Sequence, residues 1–337
     1  MAKKMLHWTD DIPERARVVA CLGFFDGVHL GHQELFRVAR GRAEACGGVT
    51  VVVTFEPHPA TLVSRGLAGS GDRVGAPPDL LTPLEEKARL IESFGVDYLR
   101  VIPFTPDLMK TEPREFARIF LVEQLKARVV VVGFNFTFGF RASGKAQDLV
   151  EFGKELGFEA VIVPPVMRRG EVVSSTAIRR ALVEGDVEKA GELLGRAYSV
   201  EGIVGRGEGR GRLLGFPTAN LDVHPQKLLP APGVYACRVY PGALEERVHR
   251  EATLADSGTE PAFAGRAAVA NVGTCPTFGE RRLHLEVHIP AWSGNLYGQQ
   301  LRVEFLRRLR DEKKFASVEE LRDQVARDVL HVIESQR

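Results

Sequence analysis

Several features that would mark a secreted or membrane protein are scarce in this sequence. It holds four cysteines in 337 residues, and no two of them form a C-x-x-C pair. A disulfide framework is therefore not expected, and a reducing compartment fits. The stretch M-A-K-K-M-L-H-W-T-D-D has basic residues without the apolar core of a signal peptide. No apolar run approaches the ~20 residues of a membrane span, so we expect a cytoplasmic protein without membrane contacts.

The sequence also lacks an excess of charge of either sign. Lysine and arginine number 45 against 44 aspartates and glutamates, which gives a net charge of +1. Such a balance provides no general electrostatic attraction for nucleic acids or membrane surfaces. The pattern G-x-x-x-x-G-K-[ST] is absent, which excludes a Walker P-loop. At roughly 150 residues per domain, the length indicates two domains.

What the sequence does have is a strand, a glycine turn and a helix start between Val18 and Phe36. Val18 to Leu22 is a short apolar run rich in β-branched residues, which predicts a buried strand. Gly23 and Gly27 permit backbone turns that are closed to residues with a Cβ. Apolar residues recur at helical spacing from Gly31 onward. The backbone N–H groups and helix dipole at such a junction suit an anion.

His29 and His32 flank Gly31 at this junction. Imidazoles beside a phosphate chain can donate hydrogen bonds to oxygens that gain charge in a transition state. The alternatives are zinc ligands or solvated histidines, but zinc requires three or four ligands, and no cysteine or third histidine stands at a suitable spacing. The phosphate interpretation is therefore favoured. The stretch G-F-F-D-G-V-H-L-G-H resembles the His-x-Gly-His signature of nucleotidyltransferases, which join a nucleoside monophosphate to a phosphate acceptor and release pyrophosphate.

Strand and helix patterns alternate through the first half of the chain. This alternation predicts an α/β, Rossmann-like fold with a parallel, doubly wound sheet. Thr82, Pro83 and Glu85 form the pattern of a capping box, and Thr111 is predicted to cap a helix through about residue 125. Residues 64–80 are rich in glycine and proline and predict a mobile loop. Further strands are predicted at 49–55, 98–103, 128–132 and 158–163.

Three segments of the first half lie where a parallel sheet would bind a ligand. His58 belongs to E-P-H-P, which follows the second predicted strand. The segment G-F-N-F-T-F-G, residues 133–139, is either core or a stacking surface for a planar heterocycle with one oriented amide, Asn135. In V-S-S-T-A-I-R-R, residues 173–180, the hydroxyl cluster is either an ordinary helix N-cap or a phosphate site with an arginine.

The pattern changes near residue 186, where we place the boundary between domains 1–186 and 187–337. Short alternating strands punctuated by glycines predict an antiparallel β-barrel. A closing helix is predicted from Ser317 to Val332, with Ser317 and Glu320 as its capping box. Residues 241–267 are polar and charged, which predicts a long exposed insertion.

Three features of the second half could carry chemistry. G-R-G-E-G-R-G-R has the composition of an RNA-binding arginine-glycine segment, but a loop over nucleotide phosphates fits its apolar surroundings better. Thr218 and Asn220 offer uncharged oxygens for a magnesium ion that also binds substrate phosphates, although P-T-A-N alone is more often a turn. Glu286, on a predicted strand, is either solvated or a general base for a substrate hydroxyl.

Taken in order, these motifs resemble the bacterial bifunctional riboflavin kinase/FMN adenylyltransferases, or FAD synthetases, over nearly the whole chain. The resemblance implies that the N-terminal domain adenylylates FMN with ATP, giving FAD and pyrophosphate, and that the C-terminal barrel phosphorylates riboflavin with Mg–ATP. The matching segments are G-F-F-D-G-V-H-L-G-H, T-F-E-P-H-P, V-V-G-F-N-F-T-F-G, V-S-S-T-A-I-R, L-L-G-R-A-Y, G-R-L-L-G-F-P-T-A-N-L, G-V-Y-A, N-V-G-T-C-P-T-F-G, L-E-V-H-I, N-L-Y-G and L-R-D-E-K-K-F.

The resemblance also implies roles for particular residues. His29 and His32 would bind ATP phosphates and steady the charge on the transferred group, and Glu286 would be the base on the ribityl hydroxyl. Thr218 and Asn220 would lie around Mg–ATP. The other implied residues are Gly23, Phe24, Asp26, Gly31, Ser174, Thr176 and Arg179 for ATP in the adenylyltransferase, His58 and Asn135 for its flavin, and Gly207, Gly211, Arg212 and Asn271 for ATP in the kinase.

The chain departs from the family pattern in three places. Asn135 stands where many relatives carry Asp, Ala291 replaces the usual acidic residue after L-E-V-H-I, and the 241–267 segment is longer than usual. Two alternatives remain at this stage. One is an adenylyltransferase for another phosphate acceptor with a non-catalytic second domain. The other is a non-enzymatic RNA-binding protein, which the near-neutral net charge disfavours.

Overall fold

The computed structural model of the chain describes residues 4–7, 12, 16–59, 79–206, 211, 215–241, 265–275 and 282–335. The chain divides into two compact units, Met1–Ser174 and Ser175–Arg337. The domain boundary near residue 186 stays a prediction. Most of the predicted loop at 64–80, most of the predicted insertion at 241–267, and both Gly207 and Arg212 lie outside the described residues.

The first unit is built on a six-stranded parallel sheet, which confirms the predicted fold class. Its strands are β1 (Lys4–His7), β2 (Val18–Leu22), β3 (Val49–Glu56), β4 (Tyr98–Pro103), β5 (Ala127–Gly133) and β8 (Glu159–Val163). They lie in the order β1-β4-β3-β2-β5-β8. The five residues of β2 are all buried, as expected for a central parallel strand that is covered on both faces.

The strand order by itself predicts where a ligand would bind. Helix α1 (Leu30–Cys46) follows β2, and the chain then pairs β3 on one side of β2 and β5 on the other. In open parallel sheets, ligands bind beyond the carboxyl ends of the strands at the point where the order reverses. The turn between β2 and α1 lies at this point.

The remaining elements of the first unit are short. The helices are α2 (Leu84–Ser93), α3 (Pro106–Lys110), α4 (Pro113–Phe116), which continues as a π-helix (Ala117–Gln124), and α5 (Ala146–Leu156). Two hairpins complete the unit. One pairs β6 (Thr137–Phe138) with β7 (Gly144–Lys145), and the other pairs β9 (Met167–Arg168) with β10 (Glu171–Val172).

Two predicted helix caps are wrong. Helix α2 begins after Pro83 with no side-chain cap, because the Thr82 hydroxyl instead accepts from the Gly27 N–H at 2.9 Å. The helix predicted from Thr111 begins at Pro113, whose fixed φ suits a first helical position. Thr111 is instead the C-cap residue of α3, and its hydroxyl donates to the Asp107 carbonyl of that helix at 3.2 Å.

The second unit begins with two helices and continues into a closed barrel. The helices are α6 (Ser175–Glu184) and α7 (Val187–Leu194). The barrel strands are β11 (Tyr198–Gly205), β12 (Thr218–Val223), β13 (Gly233–Pro241), β14 (Arg266–Cys275), β15 (Arg282–His288) and β16 (Gln300–Arg310). They close in the order β11-β12-β15-β14-β13-β16, and every pair is antiparallel, as predicted.

The closing helix α8 (Val318–Ser335) packs on the outside of the barrel. Val332 is fully buried against Val234, Ala236 and Val269. The predicted cap is confirmed in part: the Ser317 hydroxyl accepts from the Glu320 N–H at 3.1 Å, but the Glu320 carboxylate accepts from the Ala316 N–H at 3.0 Å. In the described part of the chain, no helix combines the length and apolar character needed to cross a bilayer.

Candidate functional site

The two histidines of the first unit lie at the start of α1 and stack on each other. His29 is the N-cap residue, and its Nδ1 accepts the backbone N–H of His32 at 3.3 Å. The ring centroids are 3.5 Å apart, and the ring planes differ by 17°. Because Nδ1 accepts, the proton of a neutral His29 lies on Nε2. His29 can therefore donate a hydrogen bond from Nε2 to a phosphate oxygen while its other nitrogen caps the helix.

The turn before the histidines has a strained backbone. Phe25 has φ 52°, Gly27 has φ 84° and Val28 has φ 43°, so two residues with side chains occupy the left-handed region. Gly31 is needed for a different reason, since a Cβ there would lie 3.1 Å from His29 Cε1. Strained backbone of this kind persists only where surrounding contacts fix it, and it is concentrated at functional sites.

Asp26 is one of the contacts that fix the turn. It is 3% exposed, and its carboxylate accepts from the backbone N–H groups of Leu81 and Thr82 at 3.2 and 3.0 Å. The Thr82 hydroxyl also donates to Asp26, at 3.3 Å. The Asp26 carboxylate therefore ties the turn to the residues just before α2. Its predicted contact with ATP stays a prediction.

Lys87 on α2 is a second such contact. It is 5% exposed, and its Nζ donates to the Phe24 carbonyl at 3.1 Å and to Thr54 Oγ1 at 3.4 Å. Burial lowers the pKa of Lys87, while the negative charges of Asp26 and Glu56 act in the opposite direction. A buried ammonium group is costly unless it is hydrogen-bonded and close to negative charge, and Lys87 meets both conditions.

An apolar cavity of about 270 Å³ lies beside this turn in the first unit. Arg141 is the one charged side chain of its described lining. The described lining does not include His58 or Asn135, although the His58 ring lies 5.2 Å from the Phe24 ring. The phenylalanines of the lining are Phe24, Phe55, Phe104, Phe116, Phe136 and Phe138.

The segment G-F-N-F-T-F-G contributes to both the core and the cavity. Phe138 is 6% exposed and belongs to the main core, while Phe136 packs at the edge of that core. Both line the cavity, whereas Phe134 is 45% exposed. Asn135 is exposed as well. The alternation seen in the sequence therefore does not by itself separate the two groups, because Phe134 faces solvent although it is in phase with Phe136 and Phe138.

The predicted second phosphate motif begins a helix, as expected. Helix α6 starts at Ser175, so Ser174 precedes it and Thr176 and Arg179 lie in its first turns. Helix α6 is the first element of the second compact unit. The contacts of these three residues with ATP stay predictions.

In the second unit, Glu286 lies between two asparagines. It is opposite Asn220 of β12 on one side and opposite Asn271 of β14 on the other. Residues directly opposite each other in neighbouring strands project on the same face of the sheet. The imidazole Nε2 of His284 lies 3.7 Å from a Glu286 oxygen. Three predicted site residues are thus brought together by barrel pairing.

A cavity of about 360 Å³ opens at this row of residues. Phe216 and Phe315 provide aromatic surface in its lining, and Arg310 and Glu312 provide charge. Asn271 Nδ2 donates to Glu312 Oε1 at 3.5 Å. Arg310 is held by a bidentate contact with Asp328 of α8, with its Nε 3.0 Å and its Nη2 2.8 Å from the same carboxylate oxygen and Nε 3.4 Å from the other.

The donor set at the predicted metal site fits magnesium. Asn220 is paired opposite Glu286, and Thr218 lines the cavity together with Glu286, whereas Asn220 is not part of its described lining. A Cβ on Gly211 would lie 2.5 Å from the Phe216 carbonyl oxygen and 3.2 Å from Thr218 Oγ1, so glycine lets the backbone come close to this segment. In the ranges that the structure describes, no group of three His, Cys, Asp or Glu side chains could hold a metal ion. Magnesium commonly binds through few protein oxygens together with substrate phosphates, which agrees with this set.

Sequence reasoning missed several residues of these sites. Lys87 lies in a helix where it reads as a charged surface residue, and nothing local signals that it is buried. Arg310 and Glu312 both lie within L-R-D-E-K-K-F, residues 309–315, which resembles the family only as a segment. Arg141 has φ 54° beside Ala142 at φ 54°, a conformation that only the structure reveals.

Comparisons with known proteins match each half of the chain to a protein family. Residues 11–177 match the family described as FAD synthetase, and residues 194–335 match the family described as riboflavin kinase. The chain is 36% identical to a bifunctional riboflavin kinase/FMN adenylyltransferase of Listeria monocytogenes, over 95% of this chain and 91% of that protein. It is 34% identical to the protein of the same description from Bacillus subtilis, over 94% and 91%.

A solved structure covers the same length. The crystal structure of a protein described as a macrolide-efflux protein from Streptococcus pneumoniae has a TM-score of 0.78 and 33% identity, and the match covers 94% of each chain. The two family matches and the full-length relatives lead to one assignment. The chain belongs to the family of bifunctional riboflavin kinase/FMN adenylyltransferases.

Proposed function

We propose that this protein makes FAD in two steps. The second unit phosphorylates riboflavin with ATP to give FMN, and the first unit adenylylates FMN with a second ATP to give FAD and pyrophosphate. Family membership supports the pair of activities. The observation that carries the proposal structurally is the position of Phe24, which lines the aromatic cavity and lies in the turn that leads to His29.

In the adenylylation step, the cavity of the first unit accepts the isoalloxazine ring of FMN. Six phenylalanines offer faces and edges to a flat heterocycle, which suits a ligand held by stacking and a few polar contacts. The FMN phosphate then lies toward the turn before α1. His29 donates from Nε2, and the backbone N–H groups of the first turn of α1 face the same end of the helix.

These donors act on the charge that develops as the FMN phosphate oxygen attacks the α-phosphorus of ATP. The new P–O bond forms as the bond to the pyrophosphate leaving group breaks. Donors already fixed by the protein stabilise that charge without reorganising during the reaction. His32 stacks on His29 and so holds its ring in the orientation that the donor needs. Ser174, Thr176 and Arg179 are the further ATP contacts that the family resemblance proposes.

In the kinase step, Glu286 is the general base. Its carboxylate accepts the proton of the riboflavin 5′-hydroxyl as that oxygen bonds to the γ-phosphorus of ATP and ADP leaves. Phosphoryl transfer depends mainly on positioning and on stabilising the phosphate oxygens. Asn220 and Asn271 flank Glu286 and offer amides to substrate oxygens. Thr218 and Asn220 would hold Mg²⁺, which neutralises phosphate charge when it is bound.

A single assay separates this proposal from the alternatives. Purified protein is incubated with riboflavin, ATP and Mg²⁺, and the flavins are resolved by chromatography over time. FMN should appear first and FAD should follow. An adenylyltransferase for another acceptor with a non-catalytic barrel would leave riboflavin unchanged. A protein that does not make FAD from added FMN and ATP would overturn the first-unit assignment.

The variant His32→Ala tests the chemistry of the first unit. Losing one preorganised donor, or the ring that orients it, should lower FAD synthesis by about 10²–10³-fold. Riboflavin should still become FMN, which should accumulate. Normal FAD output from the variant would remove the histidine pair from the mechanism.

A further inference from the structure

The strained turn before His29 must be held in place by contacts from elsewhere in the first unit. Phe25 and Val28 both have positive φ angles, which residues with side chains rarely adopt. Such conformations are costly and persist only where the surrounding structure fixes them. The structure supplies two sets of contacts. The Asp26 carboxylate binds the residues just before α2, and a second set converges on the backbone carbonyl of Phe24.

The Phe24 carbonyl accepts hydrogen bonds from two buried side chains. Lys87 Nζ lies 3.1 Å from the oxygen, and Thr54 Oγ1 lies 3.1 Å from it. Lys87 also donates to Thr54 Oγ1 at 3.4 Å, so the three groups form a closed triangle. Thr54 is 0% exposed and belongs to β3, whereas Lys87 belongs to α2. The Phe24 carbonyl is thus hydrogen-bonded to one residue of β3 and to one residue of α2.

This carbonyl belongs to the residue whose ring forms part of the cavity wall. The Phe24 ring lies 5.3 Å from Phe55 and 6.2 Å from Phe104, and all three line the cavity. If the carbonyl moves, the peptide plane on the C-terminal side of Phe24 rotates. The ring and the following turn, which leads to His29, would shift with it. Rotation at this point would therefore disturb the cavity and the histidine pair together.

The ammonium group of Lys87 is an unusual choice for such a contact. A lysine buried to this extent loses most of its hydration, and a neutral donor of similar size would avoid that cost. Asp26 and Glu56 are the negative charges that act on it. Asp26 lies in the same turn, so Lys87 supplies both a hydrogen bond to Phe24 and a positive charge beside the buried Asp26.

We propose that Lys87 is a positioning residue for FMN adenylylation. It touches neither substrate nor the reacting phosphates, and it acts by holding the Phe24 carbonyl so that the Phe24 ring stays on the cavity wall. The inference rests on the proposed function of the first unit. It predicts a specific defect: weaker use of FMN, with the kinase activity of the second unit unaffected.

The test compares Lys87→Met with Thr54→Val in the full-length protein. Methionine keeps the length of the side chain without the donor, and valine keeps the shape of threonine without the hydroxyl. For Lys87→Met we expect KM for FMN to rise about 10-fold and kcat/KM for FMN to fall by up to about 100-fold, as when a group is misplaced by about 1 Å. KM for ATP should change by less than KM for FMN.

Thr54→Val should give the same pattern with a smaller amplitude. Because both side chains bind one carbonyl, the double variant should depart from the product of the two single effects. Lys154→Met is the matched control, since Lys154 is exposed on α5 and its ion pair among the described residues is with Glu151. Its FMN and ATP constants should stay within about twofold of wild type. Riboflavin phosphorylation should be normal in all the variants and reports on the second unit, whereas urea unfolding of each variant reports the folded fraction of the first unit.

Two outcomes would overturn the proposal while leaving the function of the first unit standing. One is a Lys87→Met protein with a normal KM for FMN. The other is an unchanged KM for FMN together with a fall in kcat that matches the fraction of protein that is no longer folded. That pattern is expected of a purely structural residue. A wild-type protein that makes no FAD from FMN would overturn the proposed function and this inference together.

Discussion

Glu286 is a residue whose role depends on its neighbours rather than on its type. On a sequence it is one of many glutamates in an alternating strand. In the barrel it is opposite Asn220 and Asn271, and His284 lies 3.7 Å from its carboxylate. A second carboxylate, Glu312, lines the same cavity and accepts from Asn271. The two glutamates can be distinguished by substitution.

We predict that Glu286→Gln lowers riboflavin phosphorylation by roughly 10²–10⁴-fold, the usual contribution of a positioned base. Glutamine keeps the size and polarity of the side chain but cannot accept the hydroxyl proton. Glu312→Gln should have a much smaller effect, because its amide oxygen can still accept from Asn271. FMN supplied externally should become FAD at the normal rate in both variants. A larger loss in Glu312→Gln than in Glu286→Gln would assign the base to Glu312.

Lys87 makes a second residue-scale prediction, on stability rather than activity. Burial lowers its pKa in the folded protein, so on the alkaline side the folded state releases this proton before the unfolded state, whose lysine titrates near ~10.4. In that window the unfolded state binds more protons, and stability rises with pH. The gain is absent at neutral pH, where both states hold the proton.

The measurement is the free energy of unfolding in urea for wild type and Lys87→Met. The difference between the two proteins should shift in favour of wild type between about pH 7 and about pH 10. Titration of other groups is common to both proteins and cancels in the difference. A difference that stays constant across this range would mean that Lys87 keeps an ordinary pKa when the protein folds.

At the scale of elements, one wall of the first unit's apolar cavity depends on close contact between a hairpin and a helix start. The β6–β7 hairpin packs on Pro113, the first residue of α4. Gly139 has φ 73°, and a Cβ there would lie 2.7 Å from Pro113 Cγ. A Cβ added to Gly144 would lie 2.8 Å from the Cβ of Pro113. Glycines at both positions let the hairpin come close enough to complete the cavity.

We predict that Gly139→Ala destabilises the first unit and raises KM for FMN. The matched control is Gly157→Ala, since Gly157 also has a positive φ, 86°, but a Cβ there meets no atom within 4 Å. The control carries the cost of a left-handed backbone, about 1 kcal/mol, whereas Gly139 has ψ −175°, a region open almost only to glycine. Gly139→Ala should cost about 1–3 kcal/mol more, because an added methyl group must displace a packed ring. Equal losses in the two variants, measured by urea unfolding, would contradict the packing argument.

At the scale of the whole molecule, the stability of the second unit depends on the residue at which that unit begins. Helix α6 packs on the barrel unit through the Leu182 carbonyl, which accepts from Ala231 at 2.9 Å, and the Glu184 carbonyl, which accepts from Arg308 at 3.3 Å. Its buried residues are Ala177, Ile178, Ala181 and Leu182. A fragment that begins at residue 187 loses all of these contacts.

We predict that a fragment of residues 175–337 folds and phosphorylates riboflavin at close to the full-length rate. A fragment of residues 187–337 should have a lower melting temperature, because burying each large aliphatic side chain is worth about 1.5–3 kcal/mol. Thermal unfolding by circular dichroism and a riboflavin kinase assay measure the two properties. Equal melting temperatures would place the boundary of the kinase unit at 186, where the change from helical to strand periodicity predicts it.

The sequence determined the two fold classes and the places of the main motifs. Apolar periodicity is a local property, so five strands of the parallel sheet, the barrel and the closing helix could be predicted from it, whereas β1 (Lys4–His7) was missed. The histidine turn was predicted because glycines, a strand and a helix start lie within one short stretch. Glu286, Thr218 and Asn220 needed the family resemblance, since nothing local distinguishes them from ordinary strand and turn residues.

Tertiary structure decided what single residues do. Thr82 has the sequence of a helix cap, yet its hydroxyl is bound to Gly27 and Asp26, because a contact across the fold replaced the local one. The sequence around Lys87 predicts an exposed side chain, yet Lys87 is buried and donates a hydrogen bond to the Phe24 carbonyl. Asn220, Glu286 and Asn271 are far apart in the chain and become neighbours through barrel pairing alone. The local sequence pattern determines whether a segment forms a helix or a strand. Long-range pairing of those elements determines which side chains become neighbours, and the chemistry of the sites depends on those neighbours.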